Sequence, residues 1–568
     1  MASPTAKEPI DTEEARDIDG WHDTAGARQA WVAEKETGFW EAIKTNKRAV
    51  FWSAMISMSL IMEGYDTALV TSFFAYPTFQ RKYGEYFPSI QQYQLTGAWQ
   101  AGLSDAQVVG LIIGGLINGW SSSRFGYKPT MLAALLVLNA TLFTTFFAPS
   151  AGVLLAGQLL NGIPWGVFAT VAPAYASEVL PLALRGYLTV FCNLCWATGQ
   201  LIANGVLQGL VTNPTEWSYR IPFGLQWIWP LPLSAILLFA PESPWFLVRR
   251  GRHAEAAGAL RRLADKSDGE ARAALAQMRC TVAREAAEAR RRGDADSSYL
   301  DCLRGADRRR TEICCAAWAG QMLSGAILAY SATYFFAQAG LAVADAYKIG
   351  VATNALSFLG TVLSWFLMAA RAGRRAIYVG GAAALAAVLL VIGVVSATTA
   401  TMTDSPAAWA QAALLLVWHL VYSLTLGPVT YAIVAETSAV RLRARTVVLA
   451  RCVYNVTLIV AAVLGPYMIN PSEWNWQGRA AFFWCGGAAL TAVWAYFRLP
   501  EAKVSCSLLP LPAPLFLLFY KYPTGPPPSP YSLPRIRASA TGYERQGAKL
   551  TYGFPQSGSF VRGARYAV

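Results

Sequence analysis

One uncommon series of residues occurs twice in this chain. Glu178-Val-Leu-Pro-Leu-Ala-Leu-Arg185 leads through a pair of apolar segments to Pro241-Glu242-Ser243-Pro244. At a distance of 258 positions, Glu436-Thr-Ser-Ala-Val-Arg-Leu-Arg443 leads through another pair to Pro500-Glu501-Ala502-Lys503. In both copies the Glu stands seven residues before its Arg and 63 or 64 residues before its Pro-Glu. A third echo pairs Arg124-Phe-Gly126 with Arg371-Ala-Gly373. The chain is therefore an internal duplication of apolar units, a plan that places a binding site between two membrane-embedded halves.

Run length and composition make both units membrane-spanning. Of 568 residues 54% are hydrophobic and only 14% charged, against roughly 25% charged in a soluble domain. A hydrocarbon core about 30 Å thick takes about 20 apolar residues of helix. Twelve such segments occur, at 49–71, 103–122, 129–148, 152–176, 187–211, 222–240, 313–338, 348–369, 376–397, 407–434, 446–469 and 479–498. The expected fold is an all-α membrane protein of twelve transmembrane helices in two six-helix bundles. The expected organisation is an N-terminal segment 1–48, bundles 49–242 and 313–500, a helical linker 243–312 and a disordered tail 501–568.

Short-loop charge sets the orientation. Arg124, Lys128, Arg185, Arg371, Arg374, Arg375, Arg441, Arg443 and Arg445 fall on one side; the other holds only Arg81, Lys82, Arg220, Lys348 and Arg479 in its connections. The basic side is expected to be cytoplasmic, with both termini. This asymmetry accounts for the net charge of +13, so no nucleic-acid partner is implied. The first 48 residues hold no apolar signal region, so the first span is expected to act as the targeting signal. The linker carries Ala254-Glu-Ala-Ala-Gly-Ala-Leu-Arg-Arg-Leu263 with helical spacing. Its basic face suits solvent, or an acidic lipid or regulator.

Nothing points to metal, cofactor or enzyme chemistry. Cys192 and Cys195 lie in an apolar helix without nearby His, and the chain has three His in all. No nucleophile–base pair or phosphate loop is present. Asn139 and Asn455 match the glycosylation pattern inside spans and are expected to be unmodified.

Ionisable residues at membrane depth mark function. Glu63 and Asp66, three apart in the first span, share a helix face. Two carboxylates this close in a low dielectric do not easily both ionise, so the pair can hold a proton. Arg451, in the eleventh span, is the natural counter-charge from the opposite half. The alternative is a helix end with both acids hydrated. Glu178, Arg185, Glu436 and Arg443, with Arg124 and Arg371, bracket the basic-side turns. They are expected to form ion pairs that bridge the halves, or else to serve only as positive-inside anchors.

These residues resemble the sugar porter branch of the major facilitator superfamily, and more closely the fungal α-glucoside (maltose-type) permeases. The resemblance covers roughly residues 40–503. It rests on Glu63-Gly-Tyr-Asp-Thr67, Gly157-Gln158 to Gly162-Ile-Pro-Trp-Gly166, Tyr175-Ala-Ser-Glu178, Leu225-Gln-Trp-Ile-Trp-Pro230 and Val448-Leu-Ala-Arg451. It implies a plasma-membrane importer, expected to be monomeric, that takes up a sugar with a proton by alternating access. Asn193, Gln200, Gln321, Tyr431 and Asn455 are then the expected sugar-binding residues, because amides both donate and accept towards hydroxyls. On this reading Asp66→Asn is expected to abolish accumulation and spare exchange.

The chain departs from the family pattern at three places. Gln158 stands where most sugar porters carry Arg, as the maltose-type subgroup does. Val109-Gly110-Leu111 replaces Val-Gly-Glu, removing one acid and leaving a facilitator or a sugar sensor as alternatives. After Lys503 a Leu- and Pro-rich text replaces the family's continuation and is expected to be a disordered tail or a retained intron.

Overall fold

The computed structural model describes residues 37–87, 91–264, 267–291, 299–330, 343–369, 373–398, 406–438, 441–469, 474 and 476–500. Arg371 and residues 501–568, the tail of the sequence reading, lie outside the described residues.

Membrane helices dominate. The first apolar segment forms α1 Phe39–Thr45, α2 Lys47–Ser57 and α3 Ser59–Phe73. After α4 Pro77–Tyr83 come two short strands, β1 Glu85–Phe87 and β2 Gln92–Gln94. They pair antiparallel with Tyr86 opposite Tyr93, rings 5.2 Å apart. This hairpin in a polar loop is an addition that the all-α expectation did not contain. Then follow α5 Gly97–Phe125, α6 Tyr127–Phe146, α7 Ala151–Val179, α8 Leu182–Leu210, α9 Trp217–Leu225 and α10 Pro230–Leu237. The segment between the halves forms α11 Pro244–Arg249, α12 His253–Leu263 and α13 Asp268–Arg291, then a 3-10 turn Tyr299–Leu303. The second half runs α14 Gly305–Leu323, α15 Ala326–Tyr330, α16 Val343–Ala369, α17 Arg374–Thr398, α18 Pro406–Leu424, α19 Leu426–Thr437, α20 Arg443–Ile469 and α21 Ala480–Arg498.

Nine helices among the described residues are long and apolar enough to cross a membrane. The three remaining expected spans are broken, each for a local reason. In the first, Ser57 and Ser59 hydroxyls bond the carbonyls of Ser53 and Ile56 at 2.8 and 2.7 Å, loosening the helix at Met58. In the sixth, Pro222 and Pro230 withhold backbone donors, and a 3-10 turn Gln226–Ile228 fills the gap. In the seventh, α14 stops at Ser324 and Gly325, whose φ of 89° ends the right-handed helix.

Glycines set the helix spacing. Gly110 and Gly114 on α5 face Gly162 and Gly166 on α7, and a Cβ on Gly162 would meet the Gln107 carbonyl. Two small-xxx-small motifs therefore bring these backbones into contact where lipid offers no hydrophobic drive. Between the halves α5 packs on α20, and α8 on α16. These are the second and fifth spans of each half, crossed twice, as a duplication requires.

The recurrent Pro-Glu has a structural task at the turn between α5 and α6. Glu242 accepts from the backbone N–H groups of Tyr127 at 3.0 Å and Lys128 at 3.1 Å, placing a carboxylate on the positive end of α6. Gly126 has φ 99° and ψ 175°, a region that side chains avoid, and a Cβ there would lie 2.5 Å from Glu242 Oε2. Gly126→Ala is therefore expected to cost about 1–3 kcal/mol, read as a lower thermal midpoint in detergent. In the linker, Ala256, Ala259, Leu260 and Leu263 form the buried face of α12.

Candidate functional site

The deepest charges lie where the two halves meet. Glu63 on α3 accepts from Arg451 Nη2 on α20 at 2.7 Å, and the two residues are 1% and 7% exposed. The Arg451 guanidinium also lies 4.8 Å from the ring centre of Trp318 on α14 and 4.5 Å from that of Tyr454 on α20. Trp318 in turn meets Tyr431 edge-on at 4.7 Å and Tyr454 at 5.2 Å. Only one Glu63 oxygen is engaged: Oε2 is buried and has no hydrogen-bond partner among the described residues.

Asp66 occupies a different setting. Its Oδ2 accepts from Gln107 Nε2 on α5 at 2.7 Å, and its Oδ1 from Gln226 Nε2 in the 3-10 turn at 2.6 Å. The expectation of one acid pair with shared partners therefore needs correcting. Three residues of helix put both acids on one side of α3, but neighbouring helices divide that side. Glu63 meets the opposite half, whereas Asp66 ties three elements of its own half together. Leu111, where the family pattern calls for Glu, is buried in the apolar core.

The expected sugar-binding residues are all buried or half-buried and occupy several helices. Gln321 on α14 accepts from the Tyr422 hydroxyl at 2.8 Å and donates to the Gly427 carbonyl at 3.5 Å. Asn193 on α8 donates to Thr361 Oγ1 on α16 at 3.1 Å, joining the halves. Gln200 on α8 and Tyr431 on α19 are buried. Asn455, one turn beyond Arg451, is 1% exposed, and both its amide atoms lack partners among the described residues. The same is true of Gln158.

At the Arg-rich end the pairs differ from those expected. Glu178 takes Arg249 of α11 at 2.8 Å, the Tyr127 hydroxyl at 3.1 Å and the Ser243 hydroxyl at 2.5 Å. Glu436 takes Arg374 at 3.4 Å. The first joins the first half to the segment between the halves, and the second lies within the second half. Other contacts cross between the halves. Arg443 donates to the Ser177 carbonyl at 3.3 Å. Gly186 at the start of α8 sits so close to the second pair that a Cβ would lie 2.9 Å from Glu436 Oε1. Arg124 rests over Trp120 and Phe125, at 5.6 and 5.8 Å from their ring centres. Arg185 lies in the first turn of α8, half-buried. At the opposite end Tyr347 of α16 donates to the Ser72 carbonyl and meets Tyr76 edge-on at 5.9 Å.

Sequence reasoning missed Gln107, Gln226, Trp318, Tyr422, Arg249 and Ser243. Some signals were available. Gln107 is an amide in an apolar span, and Gln226 lies inside the Leu225-Gln-Trp-Ile-Trp-Pro230 motif. Trp318 stands one turn before Gln321, so the two share a face.

The profile of the family described as Sugar (and other) transporter matches residues 52–506. The chain belongs to that family. The general alpha-glucoside permease of Saccharomyces cerevisiae (S288c) is 38% identical over 484 residues, 84% of this chain and 77% of that protein. Maltose permease MAL31 of the same yeast is 38% identical over 479 residues, with the same coverage of both chains. Among solved structures, the proton:xylose symporter XylE bound to 6-bromo-6-deoxy-D-glucose superposes with a TM-score of 0.70. It is 19% identical and covers 81% of this chain and 98% of its own. The inward-open xylose transporter XylE from E. coli gives 0.58 at 19% identity, covering 79% and 96%. These likenesses are of fold. This sugar transporter is accordingly an all-α, multi-pass membrane protein of the major facilitator superfamily and not an enzyme.

Proposed function

We propose that this sugar transporter imports an α-glucoside of the maltose type together with a proton, by alternating access across the plasma membrane. The observation that carries the coupling is the buried Glu63–Arg451 pair, which joins the halves through one carboxylate oxygen and leaves Oε2 open. With Glu63 ionised the pair is satisfied, and the empty carrier can reorient. A proton on Oε2 leaves Arg451 without a counter-charge, which is costly in a low dielectric. Sugar oxygens brought in by Gln200, Gln321, Asn193, Tyr431 and Asn455 then offer Arg451 additional acceptors that offset the lost counter-charge. Proton and sugar thus stabilise each other's binding, the thermodynamic requirement for coupling. Asp66, held at both oxygens, fixes the position of α3.

Glu178, Arg185, Glu436, Arg443 and Arg124 form the rim of the basic end, which we assign to the cytoplasm with both termini. There the Glu178–Arg249 pair ties the linker to the first half, the Glu436–Arg374 pair braces the second, and Arg443 and Gly186 carry the contact that breaks on opening. The α-glucoside assignment rests on the two yeast permeases. A facilitator is the second reading, favoured by the apolar burial of Leu111.

Uptake of labelled maltose by reconstituted vesicles tests the choice. Accumulation only under an inward proton gradient is expected. Uptake to equilibrium regardless of the gradient supports the facilitator, and no uptake of any sugar under any gradient defeats both.

A further inference from the structure

We propose that Trp318, with Tyr454, forms an aromatic cage that keeps Arg451 in place as a cation while Glu63 is protonated, and that Trp318 thereby links the proton site to the sugar site. The inference rests on the symport reading above and assigns Trp318 as a positioning residue.

Two rings from two helices flank one guanidinium. Trp318 comes from α14 and Tyr454 from α20, at 4.8 and 4.5 Å, inside the distance of about 6 Å at which a ring face attracts a cation. A buried Arg whose carboxylate has been neutralised needs another source of negative potential, and the ring faces are the groups in place to provide it. Arg is suited to this, since its flat, weakly hydrated head stacks on rings while its N–H edge remains free to donate. In this geometry Nη2 donates to Glu63 in one state and to an incoming acceptor in the other, without the guanidinium moving.

Trp318 reaches further. Its edge contact with Tyr431 at 4.7 Å joins the cage to a residue assigned to the sugar. Gln321 lies one turn along the same helix. A sugar that touches Tyr431 or Gln321 therefore bears on the same ring that holds Arg451.

The cage makes a statement about pH. The ionisable groups around the pair are Tyr431 from α19, Tyr454 from α20 and Cys192 from α8, with Asp66 one turn along α3. Helix α14 contributes the uncharged Trp318, and α5 contributes Gln107 to Asp66. Of these groups only Glu63 and Asp66 belong to the carboxylates that titrate in acid. By supporting the cation, the cage makes protonation of its partner easier. Removing a ring face makes Arg451 more dependent on the carboxylate, and more acid is then needed to load the proton.

The test measures initial maltose uptake against external pH in vesicles, with gel filtration and maltose exchange in the absence of a gradient as the folding controls. Trp318→Leu is expected to stay monodisperse on gel filtration, to exchange maltose measurably but more slowly, and to shift the uptake midpoint about one pH unit towards acid. Trp318→Phe, which keeps a ring face, is expected to restore most of the shift. Tyr454→Leu removes the other face by an independent route and is expected to move the midpoint the same way. A wild-type pH dependence that both Leu variants share unchanged overturns the cage alone. Wild-type uptake that ignores external pH overturns the symport reading itself, and the cage with it.

Discussion

Glu63→Gln is expected to leave maltose exchange measurable while the accumulation ratio under a proton gradient falls to about 1, the value for an uncoupled carrier. Glutamine keeps the shape of the side chain and still offers Arg451 an oxygen, but it holds no exchangeable proton. The substitution also leaves a buried cation facing a neutral partner. Breaking a buried ion pair from one side costs about 3–5 kcal/mol, and the flanking rings of Trp318 and Tyr454 offset part of that. A lower thermal midpoint should therefore accompany the uncoupling. Accumulation that survives in purified Glu63→Gln vesicles would place the proton elsewhere.

Asp66→Asn provides the contrast. Both Asp66 oxygens are held by amide donors at 2.7 and 2.6 Å, and one end of a replacement amide would present hydrogens to another amide. Leaving such a buried donor unpaired costs about 1–3 kcal/mol, so instability should exceed uncoupling in this variant. The sequence reading expected the reverse. The change comes from seeing which carboxylate has a free oxygen.

The second large effect belongs to the crossing of α5 and α7. Gly162→Leu is expected to prevent recovery of monodisperse protein, because its side chain would enter the backbone of α5 at Gln107 and Gly110. A single added methyl in a close-packed contact costs about 1–3 kcal/mol, so Gly162→Ala should yield protein with a depressed thermal midpoint. Gly205→Leu on α8 is the matched control: nothing lies within 4 Å of a Cβ at that position. Equal recovery of Gly162→Leu and Gly205→Leu on gel filtration would remove the crossing from the account of stability.

How much was readable beforehand depended on how local each signal was. The apolar runs follow from a few adjacent residues, whereas the break between Pro222 and Pro230 falls inside a segment that was expected to run unbroken over 222–240. That Glu63 and Arg451 belong together followed from their rarity as charges in apolar sequence. Their neighbours Trp318 and Tyr454 are ordinary residues in an apolar run, and nothing local marks them as holding a cation. The same holds for Glu178. Its echo with Arg185 drew attention to a partner seven residues away, whereas the structure supplies Arg249, brought in by α11. The repeated Glu and Arg marked a region, and which groups meet there is set by the fold.

The sequence alone determined that this is a duplicated membrane protein with acids in the first span and a basic rim, because run length, repeat spacing and charge count are properties of the linear chain; its motifs added the resemblance to the sugar transporters. The tertiary structure decided which atoms meet: Glu63 with an arginine 388 residues away, Asp66 with two amides of its own half, Glu178 with Arg249 of the linker and Glu436 with Arg374. The physical reason is that helical periodicity assigns a residue to a face but not to a neighbour. The neighbour is set by where glycines let two backbones touch, and that depends on both helices together.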